Sequence, residues 1–152
     1  MDRLVAVAIP AVILYSTGTV WPPSPWNMVI GTLFVILGLT LMVWTNRLFA
    51  TVGNGTLAPW NPPQKLIVRG VYQHVRNPMI TGALSILLGE AVFFGSSWLL
   101  GWFGFALVLN LFYIPLVEER GLARRFGDDY LHYKQYVPRW IPRLTPWKGL
   151  SE

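Results

Sequence analysis

The sequence predicts an all-α integral membrane protein with four transmembrane helices, a cytoplasmic loop and a short C-terminal helix. Of its 152 residues, 53% are hydrophobic and only 12% are charged, whereas an ordinary soluble domain has roughly 25% charged residues. No charged side chain lies between Arg3 and Arg47, and only Glu90 interrupts the stretch from Arg76 to Glu118. Each stretch holds two spans, since about 20 apolar helical residues cross a bilayer. This pattern excludes a soluble enzyme, a disordered chain and a single-pass anchor.

Proline, glycine and polar residues set the bounds of the helices in this single predicted domain. The prolines of Pro22–Pro25 deny the first helix a continuing backbone. The spacing of Leu122 and Phe126 continues the register of the fourth helix beyond its apolar stretch, and Gly127 suits its end. The predicted helices are about 4–20, 28–45, 78–94 and 98–126, with the fourth span itself ending near Val117, and a short helix follows at about 128–136.

Basic residues predict the orientation of the chain. With four spans, all twelve Lys and Arg residues fall on one side, and basic residues that flank spans prefer the cytoplasmic side. We therefore expect a multi-pass protein with both termini cytoplasmic. The net charge of +5 is explained by contact with anionic membrane lipids, so no nucleic acid is expected as a partner.

The chain has no cysteine and only two histidines. Disulfides, thiolate catalysis and cysteine metal sites are therefore excluded. A histidine-rich metal centre would lack ligands as well, so we expect no metal.

Two polar blocks contain the residues that predict chemistry. Residues 70–82, GVYQHVRNPMITG, lead into the third span. Residues 118–142 follow the fourth span and contain a Glu-Glu pair, the run FGDDYLHY and the ending VPRWIP. In this order and spacing the blocks resemble the membrane methyltransferases that include isoprenylcysteine carboxyl methyltransferase and the phospholipid N-methyltransferases. The resemblance covers 70–142, nearly half of the chain.

The resemblance implies an S-adenosylmethionine-dependent methyltransferase that acts on a lipophilic or membrane-delivered small molecule. The cofactor is expected at the cytoplasmic membrane face between the two blocks, and the acceptor is expected to enter from the bilayer. Arg139 and Glu118 are predicted catalytic residues at the acceptor end. The predicted cofactor-binding residues are Tyr72, His74, Arg76, Asn77, Pro78, Gly82, Glu119, Tyr130 and Tyr133.

The residue types suit this cofactor. Arg76 and the N–H groups that begin the third span provide an anion site for its carboxylate. Glu118 or Glu119 can pair with its ammonium, while Tyr130 and Tyr133 can line the adenine or ribose. Methyl transfer from a sulfonium is an in-line displacement that alignment accelerates, and it needs neither a metal nor a nucleophilic side chain.

The same residues also have structural interpretations. Cations and tyrosines at a membrane boundary commonly set topology or lie in the interface. Glu118 and Glu119 have no cation four residues later along their helix. A salt bridge across helices, to Arg76 or Arg139, therefore explains the pair as well as ligand contact does.

The acceptor is left open by two departures from the family pattern, Asn77 in place of histidine and Ile80 in place of an aromatic residue. Arg139 favours a carboxylate, such as that of a prenylcysteine. So short a chain with few helices is typical of a prokaryotic cytoplasmic membrane, however, where a phospholipid amine is an equal alternative. The rivals from other classes are a non-catalytic scaffold and a transporter that uses Glu90.

Two further features have no settled role. Glu90 is expected to be structural or to line a substrate path. The connection Phe49–Asn77 is predicted as a loop because of its glycines and prolines. Within it, Gly53–Pro63 is expected to form a lid over cofactor or lipid, and a rigid loop anchored by Trp60 is the alternative.

Overall fold

The computed structural model describes residues 8–18, 24–53 and 65–149, and most of these residues are helical. Within these ranges there is no strand, so the predicted all-α class is confirmed. A 3₁₀ turn, Gly70–Gln73, precedes the third helix, and a π-turn, Ile114–Glu118, joins the last two helices. The helices are α1 (Ile9–Thr17), α2 (Pro25–Thr51), α3 (Pro78–Phe94), α4 (Ser97–Tyr113) and α5 (Glu119–Tyr136).

Two helices are long and apolar enough to cross a bilayer. They are α2, with 27 residues, and the continuous helix Ser97–Tyr136, with 40. Only 17% and 11% of their most apolar windows are buried, whereas the core helix of a soluble protein is mostly buried. α3 is apolar but has 17 residues, and α1 has nine. The helices thus support an integral membrane protein, while the count of four spans stays a prediction.

The second helix is longer than predicted. It continues to Thr51 instead of ending near residue 45, so the loop predicted from Phe49 begins later. Leu48 lies against Gly70, and the Phe49 ring meets the Tyr72 ring edge-on with centroids 6.0 Å apart. These contacts with the 3₁₀ turn stabilise two further helical turns in spite of the polar residues there.

The first helix is shorter at its end than predicted. It stops at Thr17 instead of near residue 20, because Gly18 adopts the left-handed conformation (φ 59°) that ends many helices. Residues 4–7 and 19–20 of that predicted span lie outside the described residues. α2 begins at Pro25, three residues ahead of the prediction, since proline is compatible with a first helical turn.

The bounds predicted for α3 are confirmed, but the unbroken register predicted from 98 to 126 is wrong. The π-turn Ile114–Glu118 contains Pro115, which has no N–H for a helical hydrogen bond. A π-turn adds one residue to a helical turn. Residues after it are therefore rotated by about 100° relative to a continuous α-helix, which changes the side on which Glu119 lies.

The helix break predicted at Gly127 is confirmed. Its φ of 53° and ψ of −129° are not helical, and only glycine adopts such angles without strain. The residues after the break include Tyr130 and Tyr133, both of which are buried.

The chain divides into two compact units. The first comprises residues up to Leu41 together with Ile80–Leu111, and the second comprises Met42–Met79 together with the residues from Phe112 onward.

In the first unit, α2 and α3 pack antiparallel through two glycine pairs. A Cβ atom on Gly31 would lie 2.7 Å from the carbonyl oxygen of Gly89, and a Cβ on Gly38 would overlap the carbonyl oxygen of Gly82. Seven residues separate the two glycines of each helix. Small residues let membrane helices approach closely, so Gly82, predicted to bind the cofactor, lies in this unit as a helix contact.

One buried cluster of the second unit is largely aromatic. Half-buried apolar residues from the chain before the 3₁₀ turn and from the start of α5 surround it. Its buried members are Tyr130, Tyr133, Val137 and Trp147, and the surrounding residues are Leu66, Val68, Leu122, Ala123 and Phe126.

The glycine contact of the first unit is testable with a single methyl group. Gly38→Ala should lower stability by about 1–3 kcal/mol, because the new Cβ meets backbone that must move. Gly104→Ala in α4 is the matched control, since a Cβ there meets nothing within 4 Å. Thermal unfolding in detergent measures both. Equal stability of the two variants would contradict the close approach of α2 and α3.

The break at Gly127 predicts a purely conformational effect. Gly127→Ala should destabilise by about 1–3 kcal/mol, the usual cost of a strained backbone conformation, although its Cβ would meet nothing within 4 Å. Gly121→Ala, on the regular part of α5 and equally unobstructed, should be neutral or stabilising. Chemical denaturation of the two variants decides between these outcomes, and a neutral Gly127→Ala would show that α5 is continuous.

Candidate active site

The two polar blocks meet in the second unit at the carboxylate of Glu119, whose side chain is only 3% exposed. Arg76 Nη1 donates to Oε1 at 3.0 Å, and Lys134 Nζ lies 2.9 Å from Oε2. Arg139 donates twice, from Nε to Oε1 at 2.6 Å and from Nη2 to Oε2 at 3.1 Å. A carboxylate has about four lone-pair positions, so these four contacts satisfy it. The salt-bridge interpretation of Glu119 is therefore the arrangement found.

The cations outweigh the cost of burying this carboxylate. Burial alone would raise the pKa of Glu119, but hydrogen bonds from Arg139 and Lys134 and the charge of Arg76 hold it below its ordinary value. The hydrogen bond to Glu119 in turn raises the pKa of Arg139. The cluster is thus ionised at neutral pH.

Arg76 has a donor beyond the one that binds Glu119. Its side chain is 9% exposed, and it also hydrogen-bonds the buried side chain of Tyr130. Its Nε is buried and has no acceptor in the described part of the chain. An unsatisfied buried donor is costly, whereas a guanidinium is well suited to an anion. Arg76 can therefore bind an anion while Glu119 holds its other end.

The local charge is positive. Three cations, Arg76, Lys134 and Arg139, surround Glu119, and the second carboxylate of the pair, Glu118, is near Tyr72. Burial, and then the charge of Glu118, raises the pKa of Tyr72, so its phenol stays neutral. Three positive charges against two negative ones leave an excess of one.

Two buried tyrosine rings lie beside this cluster. Tyr133 and Tyr130 are each 2% exposed, with ring centroids 6.3 Å apart. The Tyr133 hydroxyl donates to the Tyr72 carbonyl oxygen at 2.6 Å, and burial raises the pKa of Tyr133. This hydroxyl is therefore already used by the fold, and its ring is what remains for a ligand.

Residues 138–147 form a C-terminal segment of the second unit, and we call this segment the strap. It runs antiparallel to residues 73–76. The Arg76 N–H donates to the Pro138 carbonyl oxygen at 2.9 Å, the Arg143 N–H to the His74 carbonyl oxygen at 3.0 Å, and the Trp147 N–H to the Gln73 carbonyl oxygen at 3.1 Å. The strap thereby carries Arg139 to Glu119.

His74 belongs to the attachment of the strap. Its Nδ1 lies 2.7 Å from the Arg143 carbonyl oxygen. Because a carbonyl oxygen only accepts, the proton is on Nδ1. This contact gives His74 a structural role, whereas its predicted contact with the cofactor stays a prediction.

The second unit thus brings together most of the predicted site residues. Asn77 and Pro78 are buried at the start of α3, whereas Gly82 belongs to the first unit. Glu90 also belongs to the first unit. Of the predicted lid, only Gly53 lies within the described residues. The residues gathered in the second unit are Tyr72, His74, Arg76, Asn77, Pro78, Glu118, Glu119, Tyr130, Tyr133 and Arg139.

Sequence analysis missed Lys134 and Trp147. Lys134 lies four residues after Tyr130, so the helical spacing places both on one side of the short helix; this signal was present. Trp147 is 8% exposed and packs on the aromatic rings of α5. No periodic pattern links it to them, because the strap is not helical.

Comparisons with known proteins identify related chains. The family model "Phospholipid methyltransferase" matches residues 26–129. An uncharacterized protein of Haemophilus influenzae is 44% identical over 66 residues, which are 41% of this chain and 100% of that protein. No solved structure matches the chain.

Two named enzymes are also similar to part of the chain. Protein-S-isoprenylcysteine O-methyltransferase of Schizosaccharomyces pombe is 36% identical over 88 residues, covering 55% of this chain and 36% of the enzyme. Protein-S-isoprenylcysteine O-methyltransferase B of Arabidopsis thaliana is 34% identical over 80 residues, covering 51% of this chain and 40% of the enzyme. The chain therefore spans less than half the length of either enzyme.

The ionic cluster predicts a pH-dependent stability. Glu119→Gln leaves three cations without their carboxylate and should destabilise by roughly 2–4 kcal/mol, somewhat less than a fully buried pair because Arg139 and Lys134 are partly exposed. The folded-state pKa of Glu119 lies below its ordinary value of 4.5. Its contribution is therefore fully present above about pH 4.5 and is lost as the pH falls through the folded-state pKa.

Thermal unfolding of the wild type and Glu119→Gln between pH 7 and pH 3 measures this contribution. The two curves should converge at the acid end. Asp129→Asn, which removes an exposed carboxylate from the same helix, should follow the wild type throughout. A difference between the wild type and Glu119→Gln that does not vary with pH would contradict the ionised cluster.

Proposed function

Because the chain belongs to the phospholipid methyltransferase family, we propose that it transfers a methyl group from S-adenosylmethionine to a lipophilic acceptor at the membrane. The family comprises S-adenosylmethionine-dependent membrane methyltransferases. When bound, this cofactor supplies an electrophilic methyl group on its sulfonium. The protein's part is to bind, align and exclude water, which can account for most of the acceleration in such a displacement.

The observation that supports the proposal most directly is the buried Nε of Arg76. It is a donor without an acceptor among the described residues, on a guanidinium that Glu119 already fixes. A carboxylate of an amino-acid moiety is the complementary ligand, and a charge-assisted hydrogen bond to it is strong. We assign Arg76 to the cofactor carboxylate.

The satisfied state of Glu119 changes its proposed role. Its four contacts leave no lone-pair position for an ammonium, so we assign it to positioning Arg76 and Arg139. Glu118, the neighbouring carboxylate near Tyr72, is then the partner that we propose for the cofactor ammonium. The rings of Tyr130 and Tyr133 provide an apolar surface for the adenine.

We propose a carboxylate as the methyl acceptor. A carboxylate is nucleophilic at neutral pH without a base, and the positive excess around Glu119 attracts it while disfavouring a protonated amine. The Arg139 side chain is 30% exposed and can therefore meet an incoming acceptor. The names of the two enzyme relatives, isoprenylcysteine O-methyltransferases, agree with this choice. A prenylcysteine-like lipid has both a carboxylate and a lipophilic chain, so it is the substrate class that we propose.

The basic residues support an orientation of the chain. We propose a multi-pass membrane protein with both termini cytoplasmic, because its Lys and Arg residues lie on one side of the predicted spans. The water-soluble cofactor then reaches the second unit from the cytoplasm, and the lipophilic acceptor reaches it from the bilayer.

Titration of the purified protein with S-adenosylhomocysteine tests the proposal. Arg76→Lys should weaken binding by tenfold or more, corresponding to about 1.5–3 kcal/mol for a charge-assisted hydrogen bond. Lysine keeps the charge that pairs with Glu119 but has no counterpart of the Nε donor. Arg120→Ala, which removes an exposed arginine from α5, is the control and should bind like the wild type.

A second ligand separates the role of Arg76 from a general loss of folding. Methylthioadenosine lacks the amino-acid carboxylate, so Arg76→Lys should bind it as the wild type does. Absence of S-adenosylhomocysteine binding by the wild type would favour the non-catalytic scaffold. Equal loss of both ligands in Arg76→Lys would refute the assignment of Arg76 to the carboxylate.

A further inference from the structure

The strap ends in an aromatic contact made by Trp147, eight residues after Arg139 of the ionic cluster. Trp147 is 8% exposed, and its ring stacks on Tyr136 with a 5.6 Å centroid distance and an 11° interplanar angle. It also contacts His132 at 5.6 Å and Tyr133 at 5.8 Å. Three rings of the last part of α5 thus hold one strap residue.

Two large apolar side chains of the strap are exposed instead. Leu144 is 98% exposed and Ile141 is 80% exposed. Arg143 donates from Nη1 to the Tyr136 carbonyl oxygen at 2.9 Å, an exposed hydrogen bond. Trp147 is therefore the one buried side chain among residues 138–147, and backbone hydrogen bonds join the strap to residues 73–76.

The path from Trp147 to the ionic cluster consists of these backbone hydrogen bonds. The Trp147 N–H binds Gln73, Arg143 and His74 bind each other, and the Arg76 N–H binds the Pro138 carbonyl oxygen. Arg139 follows directly after Pro138. Its two hydrogen bonds to Glu119 therefore require that the strap lie against residues 73–76.

We propose that Trp147 is a positioning residue that fixes the strap and thereby holds Arg139 against Glu119. This inference rests on the proposed function for its consequence in catalysis, where Arg139 meets the acceptor. The ring contacts of Trp147 are with His132, Tyr133 and Tyr136, so we assign its effect on the site to its hold on the strap and on Arg139. Trp147 and Arg139 both lie beyond residues 26–129, the part of the chain that the family model matches.

Hydrogen exchange measured by mass spectrometry tests the positioning role without any ligand. The readout is a peptide that contains the Arg76 amide, which donates to Pro138. Trp147→Ala should accelerate its exchange by roughly tenfold or more, since local opening exposes the amide. Trp147→Phe, which keeps an aromatic ring, should restore most of the protection. Leu144→Ala, on the exposed side of the strap, should have no effect.

An internal reference distinguishes positioning from general destabilisation. Peptides from residues 84–91 of α3, in the first unit, should exchange equally in all three variants and in the wild type. The inference is overturned if Trp147→Ala exchanges like Leu144→Ala at Arg76. It is also overturned if the α3 peptides accelerate as much as the Arg76 peptide does.

A double-mutant cycle tests the consequence for catalysis. Trp147→Ala should lower kcat/KM for methylation of a farnesylcysteine analogue at least fivefold when Arg139 is present. In an Arg139→Ala background the same substitution should lower kcat/KM less than twofold, because the effects of two residues that act through one another are not additive. Additive losses would overturn the route through Arg139. The proposed function fails separately, when the wild type binds no S-adenosylhomocysteine although the exchange pattern is as expected.

Discussion

The second unit depends on one buried carboxylate. Removing Glu119 from water costs several kcal/mol, which only excellent ion-pair geometry recovers. Its partners come from three parts of the chain: Arg76 lies just before α3, Lys134 lies on α5, and Arg139 lies on the strap. The carboxylate is satisfied only when all three segments are in place. A single residue therefore links the order of these segments to the stability of the unit.

The same interaction prepares the site for a ligand. Glu119 orients the Arg76 guanidinium through Nη1 and leaves the Nε donor buried without an acceptor in the described ranges. It also holds Arg139 through two hydrogen bonds while part of that side chain stays exposed. A ligand thus meets preoriented donors and does not have to order them, which lowers the entropic cost of binding. In the proposed function, the net positive charge of the cluster favours anionic groups.

The sequence was sufficient to predict features that depend on nearby residues in the chain. Glycine and proline located the helix break at Gly127 and the start of α3 at Pro78, and the two motif blocks identified Arg76 and Arg139, two of the three cations that contact Glu119. The unbroken register assigned to the fourth helix failed because Pro115 produces a π-turn, a change of one residue that hydrophobic spacing does not reveal. The end of α2 was missed because contacts of Leu48 and Phe49 with a distant turn stabilise it.

Features that depend on distant contacts had weaker signals. The seven-residue spacing of glycines was present in both α2 and α3, but it becomes a contact only when the two helices are placed side by side. No sequence pattern identifies Trp147, because its burial depends on aromatic rings that only the fold brings next to it. The sequence indicates a salt bridge of Glu119 with Arg76 or Arg139, but it does not indicate the one with Lys134. Spacing along one helix does not predict that three cations contact one carboxylate.

The central claim is that this cationic cluster serves methyl transfer to an anionic lipophilic acceptor. The most direct measurement follows a radiolabelled methyl group from S-adenosylmethionine with the protein in nanodiscs that contain both a farnesylcysteine analogue and phosphatidylethanolamine. The account predicts label in a base-labile methyl ester on the farnesylcysteine analogue, which mild alkali releases as methanol. Label on the phospholipid nitrogen, or no transfer to either lipid, would contradict it.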